Sequence, residues 1–167
     1  MIVRCTAKLR ALLGRQAQAP ADLVPAPSDW YAHLVVIERR KCLLVTHAGT
    51  LFSFFAPDVR AAQLRPLGPF MIERIVAQLA AEGLPEHALG ELDSDQVTIA
   101  KTADRSVLGC MNDLALTCQL ATHHAGGLAD LDLEQLHHVL QRHIYAARSY
   151  VPAIDQIADH AGRGQAP

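Results

Sequence analysis

Two apolar runs separated by a short charged stretch constrain the fold more than any other feature of the sequence. The runs, WYAHLVVIE and KCLLVTH, are rich in β-branched and aromatic residues, and RR separates them. This pattern predicts a β-hairpin. The connection holds no Gly or Asn, so we expect a loose loop rather than a tight two-residue type I′ turn. Because residues 34–37 are all apolar and do not alternate, we expect the hairpin to lie mid-sheet with both faces covered.

Three shorter patterns predict further strands. MIVRCT reads as an opening strand in which Arg4 interrupts the apolar residues, TLFSFFAP as a strand stopped by Pro57, and QVTIAKT as a later strand. After Pro57, Asp58 is expected to cap a short helix that runs to Leu64. A proline- and alanine-rich stretch, residues 16–28, predicts a connecting loop.

Helical patterns fill the segments between these strands. AKLRALLG predicts a short helix that ends at Gly14, and Pro69 is expected to be the first residue of a longer helix closed near Gly83. A final long helix is expected to be capped near Asp130 or Asp132.

The helix that follows KTADRS is apolar on two sides. Val107, Met111, Leu114 and Cys118 share a narrow arc, whereas the two leucines of ALTCQL lie nearly opposite. We therefore expect this helix to lie between the sheet and another helix, with Gly109 permitting a close crossing.

These elements predict a single α+β domain with a small, mostly antiparallel sheet covered by helices. A chain of 167 residues is long enough to bury one core of ordinary size. We assign residues 1–160 to this domain and residues 161–167 to a frayed C-terminal tail.

Charge and cysteine usage favour a cytoplasmic protein without a membrane partner. The net charge is −2 and only 19% of residues are charged, so no overall field attracts nucleic acid or an anionic membrane. No stretch is apolar enough for a signal peptide or a membrane span. The four cysteines are scattered without a CxxC pair, as is typical of reduced, buried thiols.

The start of the two-sided helix is the main candidate site. Asp104 or Ser106 could cap it, and Arg105 could add charge for an anion held by its first amides. Asn112 lies about two turns further on the same side as Arg105, and Asp113 lies about 100° from Asn112. These residues could share a ligand, or they could be caps and hydrogen-bonded ties within the fold.

Metal and catalytic motifs are weak. Glu134 and His137 have ExxH spacing, followed by His138, but a second such unit and HExxH are absent. We therefore predict no metal and no cofactor. GxSxG, Walker and Rossmann patterns are also missing, which disfavours an enzyme. A small hydrolase or nuclease that uses Arg105, Asn112 and Asp113 remains an alternative.

The charged end of the hairpin is the one compact basic cluster. It contains Arg39, Arg40 and Lys41, and nearby aromatic residues such as Trp30 and Tyr31 could interleave with it to stack on bases. A nucleic-acid-associated protein is thus a second alternative. A solvated turn beside buried core aromatics explains the same residues.

The stretches DWYAHLVVIERRKCLLVTHAGTLFSFFAPDV and AKTADRSVLGCMNDLA resemble a family of uncharacterised bacterial proteins known as domain of unknown function 6933. The resemblance covers nearly the whole chain, with a cysteine at Cys110 where a serine is common, and it implies no activity. It implies that the polar motif positions are Arg39, Arg40, Lys41, Cys42, Thr50, Ser53, Lys101, Arg105, Ser106, Asn112 and Asp113. We expect them to converge near one end of the sheet and the start of the two-sided helix.

The leading hypothesis is a non-enzymatic binding or interaction module. Its partner would be another protein or a second copy of the chain, with nucleic acid less favoured. The candidate binding residues are Arg39, Arg40, Lys41, Lys101, Arg105, Ser106, Asn112 and Asp113.

Overall fold

A computed structural model describes residues 1–17, 23–93, 96–145 and 149–163, with side chains described as far as residue 159. The strands in these ranges are β1 (Ile2–Cys5), β2 (Trp30–Ile37), β3 (Arg40–His47), β4 (Ser53–Ala56) and β5 (Thr98–Lys101). The helices are α1 (Ala7–Leu13), α2 (Leu67–Ala81), α3 (Arg105–Ala125), α4 (Leu133–Arg142) and α5 (Ala153–Arg163). Short 3-10 turns follow α1 and α2, at Gly14–Ala17 and Glu86–Leu89.

The five strands form one mixed sheet in the order β4-β3-β2-β1-β5. The longest ladder is the antiparallel β2–β3 hairpin, which runs from Trp30 opposite His47 to Ile37 opposite Arg40. β4 adds a second antiparallel pair, and β1 lies parallel to both β2 and β5. The predicted α+β fold with a mostly antiparallel sheet is confirmed.

Helices cover both faces of the sheet, as the unbroken apolar run in β2 predicted. On one face, α1, α2 and α5 pack against alternate strand residues such as Leu43 and Phe54. On the other face, α3 and α4 pack against Leu44 and Phe55. Successive residues of a strand point to opposite faces, so β3 and β4 supply apolar side chains to both layers.

The prediction of a loose hairpin loop is wrong. Ile37 pairs directly with Arg40, and Glu38 and Arg39 have φ values of 49° and 63°. Positive φ at both central residues is the pattern of a type I′ turn. Left-handed conformations cost roughly 1–2 kcal/mol per non-glycine residue. A tertiary contact offsets part of this cost, because the Glu38 carboxylate accepts a hydrogen bond from the Leu128 amide at 3.2 Å.

Two local predictions around α2 also need correction. Asp58 caps no helix; it has a φ of 49°, and its carboxylate accepts a hydrogen bond from Arg40 at 3.1 Å. Residues 58–66 contain turns and bends instead of helix. Pro69 is the third residue of α2, since the helix begins at Leu67.

The C-terminal boundary differs from the predicted one. α5 extends to Arg163, so the first three residues of the expected tail, 161–163, are helical. Residues 164–167 lie outside the described residues.

The second apolar side of α3 is not covered by any described part of the chain. Val107, Met111, Leu114 and Cys118 are buried as predicted, but Leu116 and Leu120 are 54% and 49% exposed. The helix packs on the sheet through one side and faces solvent on the other. The prediction that the chain itself packs both sides is therefore wrong.

A buried ion pair joins the first strand to the loop before β2. Arg4 and Asp29 are 2% and 1% exposed, and Arg4 Nε donates to Asp29 Oδ2 at 2.5 Å. The guanidinium also donates to the carbonyls of Leu23, Val24 and Lys101, each at 3.0 Å. Asp29 Oδ2 accepts a further hydrogen bond, from the Ala26 amide at 3.0 Å. This network fixes β1, the end of β5 and the loop before β2 relative to one another.

Replacing Arg4 by Met should lower the free energy of unfolding by about 3–5 kcal/mol, because the substitution leaves the Asp29 carboxylate buried without its partner. Urea unfolding at pH 7 measures the change. Arg105→Met is the matched control, since Arg105 is exposed and its loss should change the value by less than about 0.5 kcal/mol. A loss below about 1 kcal/mol for Arg4→Met would contradict this account.

Candidate functional site

The polar positions expected to converge lie at opposite ends of α3. The start of the helix lies near the beginning of β2, where the Asp104 amide donates to the Tyr31 hydroxyl at 3.1 Å. Its far end lies near the hairpin turn, where Leu128 donates to Glu38. A helix of 21 residues spans about 30 Å. The predicted convergence is wrong, because Arg39, Arg40 and Lys41 lie near the end of α3 that is remote from Arg105 and Ser106.

The start of α3 is capped by the chain itself. Asp104 Oδ1 accepts hydrogen bonds from the amides of Ser106 at 2.8 Å and Val107 at 3.3 Å. These are the amides that an anion would use, so the carboxylate of Asp104 already occupies the expected anion position. Of the two predicted caps, Asp104 is confirmed.

The remaining candidate residues of this group lie on the surface. Lys101, Arg105, Ser106, Asn112 and Asp113 are all exposed. Among the described residues, neither Arg105 nor Asn112 makes a side-chain hydrogen bond. They are therefore not the buried ties considered from the sequence, and their binding role stays a prediction.

The hairpin tip lacks the stacking surface that a nucleic-acid site would need. Arg39, Arg40 and Lys41 are exposed, and Arg40 forms an ion pair with Asp58. Trp30 and Tyr31 are 1% and 0% exposed, and they lie at the start of β2, the end of the hairpin remote from the turn between Ile37 and Arg40. Trp30 and Tyr31 are therefore core residues, as the alternative of buried core aromatics held, and they do not interleave with the basic side chains.

A different set of residues forms a cleft, which we call the α2–α4 groove. It consists of two adjoining cavities of about 620 and 470 Å³ between α2 and α4, beside the edge strand β4. Gln78 and His137 line both cavities and separate a polar half from a more apolar half. The polar half is further lined by Glu82, Glu134, His138 and Arg142. The apolar half is lined by Phe54, Ala56, Val59, Ala77 and Leu133, with Arg74 and Gln63 at its margin.

Side chains of α4 hold one wall of the groove against the edge of the sheet. Gln141 Oε1 accepts from the Ser53 amide at 3.2 Å, and its Nε2 donates to the Ser53 carbonyl. His137 Nε2 lies 3.0 Å from both the amide and the carbonyl of Phe55. His137 and Gln141 are about one helical turn apart, a distance of about 6 Å. Ser53 and Phe55, two residues apart on β4, are separated by a similar distance, so each side chain of α4 meets the backbone of one residue of the strand. α4 thus covers the edge that β4 would otherwise leave unpaired.

An ion pair closes the polar end of the groove. Arg142 donates from Nη1 and Nη2 to the two carboxylate oxygens of Glu82, at 3.2 and 2.9 Å. The pair joins the ends of α2 and α4. Glu134 also lines this cavity; its side chain is exposed and forms no ion pair with any described residue.

Gln78 is the most unusual residue of the groove. It lies in the apolar stripe of α2 beside Ile75 and Leu79, and it is only 8% exposed. Its amide makes no hydrogen bond to any described residue, although it borders both cavities. Among the described residues, Arg10 Nε is the one buried side-chain polar atom without a partner, so the Gln78 amide is accessible from the groove. A polar residue inside an apolar stripe is the one sequence signal that could have found this site.

Burial determines the protonation state of His137. Desolvation lowers its pKa from 6.5, and it outweighs the opposing effects of the Phe55 backbone and Glu82. The ring is neutral at pH 7, so Nε2 can accept the Phe55 amide hydrogen while Nδ1 carries the proton.

The cysteines lie in surroundings that suppress thiolate chemistry. Burial raises the pKa of Cys5 and of Cys118 to about 12, and it also raises the pKa of Cys42. The thiolate is the reactive form, so these side chains are poor nucleophiles at neutral pH.

The described part of the chain contains neither a metal-binding cluster nor a spanning helix. In this part of the chain, no group of three His, Cys, Asp or Glu residues is placed to hold a metal ion. The Glu134 and His137 pair, with its ExxH spacing, is not completed by a third ligand among the described residues. Within the same ranges, no helix combines the length and apolar character needed to cross a membrane.

Comparison with protein-family models identifies the family. The model named "Domain of unknown function (DUF6933)" matches residues 2–156, and the chain belongs to this family. Neither a curated protein nor a solved structure matches the sequence.

His137 should make stability fall with acidification. Its folded pKa lies below the unfolded value near 6.5, so the unfolded chain binds the proton first. The stability that His137 contributes is fully present above the unfolded pKa, and it is lost as the pH falls through the lowered folded pKa. We expect the free energy of unfolding to decrease less between pH 7 and 5 in His137→Gln than in the parent.

Urea unfolding at several pH values tests this expectation. His87→Gln is the control, because the side chain of His87 is exposed and lies outside the groove. Identical pH slopes in the parent and in His137→Gln would show that His137 contributes nothing to the dependence.

Proposed function

We propose that this member of the family is a non-enzymatic interaction module, and that the outer face of α3 is its contact surface. The observation that carries the proposal is the exposure of Leu116 and Leu120, one turn apart, at 54% and 49%. On the opposite side of the same helix, Val107, Met111 and Leu114 are at most 1% exposed. An apolar pair left in solvent on a well-packed helix is typical of a surface that a partner covers.

Further residues extend this outer face of α3. Along α3, Arg105, Gly109, Asn112 and Leu116 follow one another at steps of four, three and four residues. These steps place all four along one side of the helix. Arg105 and Asn112 are candidates that the sequence had already singled out. Neither side chain forms a hydrogen bond with any described residue, so a partner could engage it without breaking a described contact of the fold.

Gly109 indicates close approach by that partner. A glycine within a helix costs about 0.5–1 kcal/mol relative to alanine. A side chain at this position would meet nothing within 4 Å, so packing inside the chain does not require glycine. Close contact with a second helix would require it.

The partner we propose is a second copy of the chain. Gly109 and Leu116 are seven residues apart, so they lie on nearly the same side of α3. If two antiparallel copies of α3 cross about an axis between Asn112 and Asp113, each Leu116 packs over the Gly109 of the other copy. Such self-complementary contacts are what a two-fold interface requires.

Other features support a role without catalysis. The thiols of Cys5, Cys42 and Cys118 are deactivated by burial. Arg105, Asn112 and Asp113, the residues of the alternative hydrolase, line neither cavity of the α2–α4 groove.

Gly109→Ala should separate folding from association. We expect the monomer to gain about 0.5–1 kcal/mol in unfolding free energy, because alanine favours the helix. The dimer should weaken at least tenfold, because the added methyl group blocks Leu116. A helix pair buries less than the roughly 800 Å² per partner of stable interfaces, so the parent dissociation constant is expected to be micromolar or weaker.

Sedimentation equilibrium measures the association. Leu116→Gln should also weaken it, whereas Val36→Thr, which changes an exposed valine on the sheet, should leave it unchanged. A parent protein that stays monomeric at millimolar concentration, or a Gly109→Ala dimer of unchanged affinity, would overturn the proposal.

A further inference from the structure

We propose that the α2–α4 groove binds a small organic amine that has an apolar body. The groove lies beside β4 and is separate from the outer face of α3, so this inference does not depend on self-association. Its two cavities, of about 620 and 470 Å³, each have the size of a small-molecule site.

The accessible amide of Gln78, on an otherwise buried side chain, points to a ligand. More than nine-tenths of this residue is buried, and it borders both cavities without a hydrogen bond to any described residue. Among the described residues, Arg10 Nε is the one buried side-chain nitrogen or oxygen atom without a partner, so the Gln78 amide itself is accessible from the groove. A bound molecule can therefore supply a donor to the Gln78 carbonyl.

The charges around the groove favour a cationic head group. In the polar half, Arg142 neutralises Glu82 through two hydrogen bonds. In the apolar half, Arg74 is balanced by Glu73 at 3.6 Å, and its guanidinium stacks over Phe70. The carboxylate of Glu134 is therefore the one formal charge of the lining without an ion-pair partner among the described residues. Desolvation keeps the His137 ring neutral at pH 7.

A primary ammonium group suits these acceptors. It carries three N–H donors and no acceptor, and the polar half offers it the Glu134 carboxylate and the Gln78 carbonyl. The adjoining half presents Phe54, Val59 and Leu133 to an apolar body. A fixed wall, held by His137 and Gln141 on β4, means that the site exists before the ligand arrives.

Three probes with one indole body and different head groups test the proposal. They are tryptamine, with an ammonium group, tryptophol, with a hydroxyl group, and indole-3-propionate, with a carboxylate. Chemical-shift titrations of the isotope-labelled full chain give both the site and the dissociation constants. We expect millimolar binding, because each probe has only about 12–14 non-hydrogen atoms. Tryptamine should bind at least threefold more tightly than tryptophol, and the propionate should bind most weakly.

Two variants assign the contributions of the groove residues. Glu134→Gln should reduce tryptamine binding to the level of tryptophol and leave tryptophol unchanged. Gln78→Leu, which keeps the volume and removes the amide, should weaken both probes. Glu86→Gln, an exposed acid outside the groove, is the charge-matched control and should change neither. Circular dichroism and thermal melts confirm that each variant is folded.

The outcomes are decisive in both directions. Tryptamine-specific shifts at the amides of α2 and α4 that disappear in Glu134→Gln support the proposal. The proposal is overturned if no probe shifts these amides, if the propionate binds best, or if Glu134→Gln leaves tryptamine affinity unchanged.

Discussion

The buried pair of Arg4 and Asp29 is the interaction on which the rest of the structure depends. β1 has only four residues, yet it joins the β2–β3–β4 meander to the edge strand β5. Strands this short contribute few ladder hydrogen bonds, and the guanidinium of Arg4 adds contacts to the end of β5 and to the loop before β2. Because the carbonyl of Asp29 also accepts from the Ala48 amide, the same point anchors the turn after β3. One arginine thus connects both halves of the sheet.

The opposite edge of the sheet is closed by a different device. β4 ends the sheet, and side chains of α4 bond to its outer groups, Gln141 to the Ser53 amide and carbonyl and His137 to the Phe55 amide. This arrangement protects the edge from pairing with another strand. It also holds α4 at a distance from α2 that leaves the groove between them, so the closure of the edge and the shape of the proposed ligand site have one cause.

The two sides of helix α3 differ in burial: the inner side serves folding, and the outer side is the contact surface we propose. Its inner side is fully packed on β2 and β3, so substitutions on its outer side should cost little stability. The outer side holds exposed leucines, a mid-helix glycine and unengaged polar groups. No contact among the described residues requires these features. They are consistent with a surface whose role lies in contact with another molecule.

The sequence by itself determined the class of the fold, most of the elements and the double-sided burial of the hairpin, because these follow from local apolar periodicity. It could not show that Glu38 and Arg39 adopt a tight turn, since the contact that offsets their positive φ comes from Leu128 in a distant loop. It also could not separate the hairpin tip from Arg105, because that distance depends on the direction of α3 across the sheet. The existence of the groove depends on tertiary structure alone. Gln78, Glu82 and Glu134 come from two helices that meet only because α4 docks on β4, and their chemistry follows from burial and unbalanced charge, which no local pattern records.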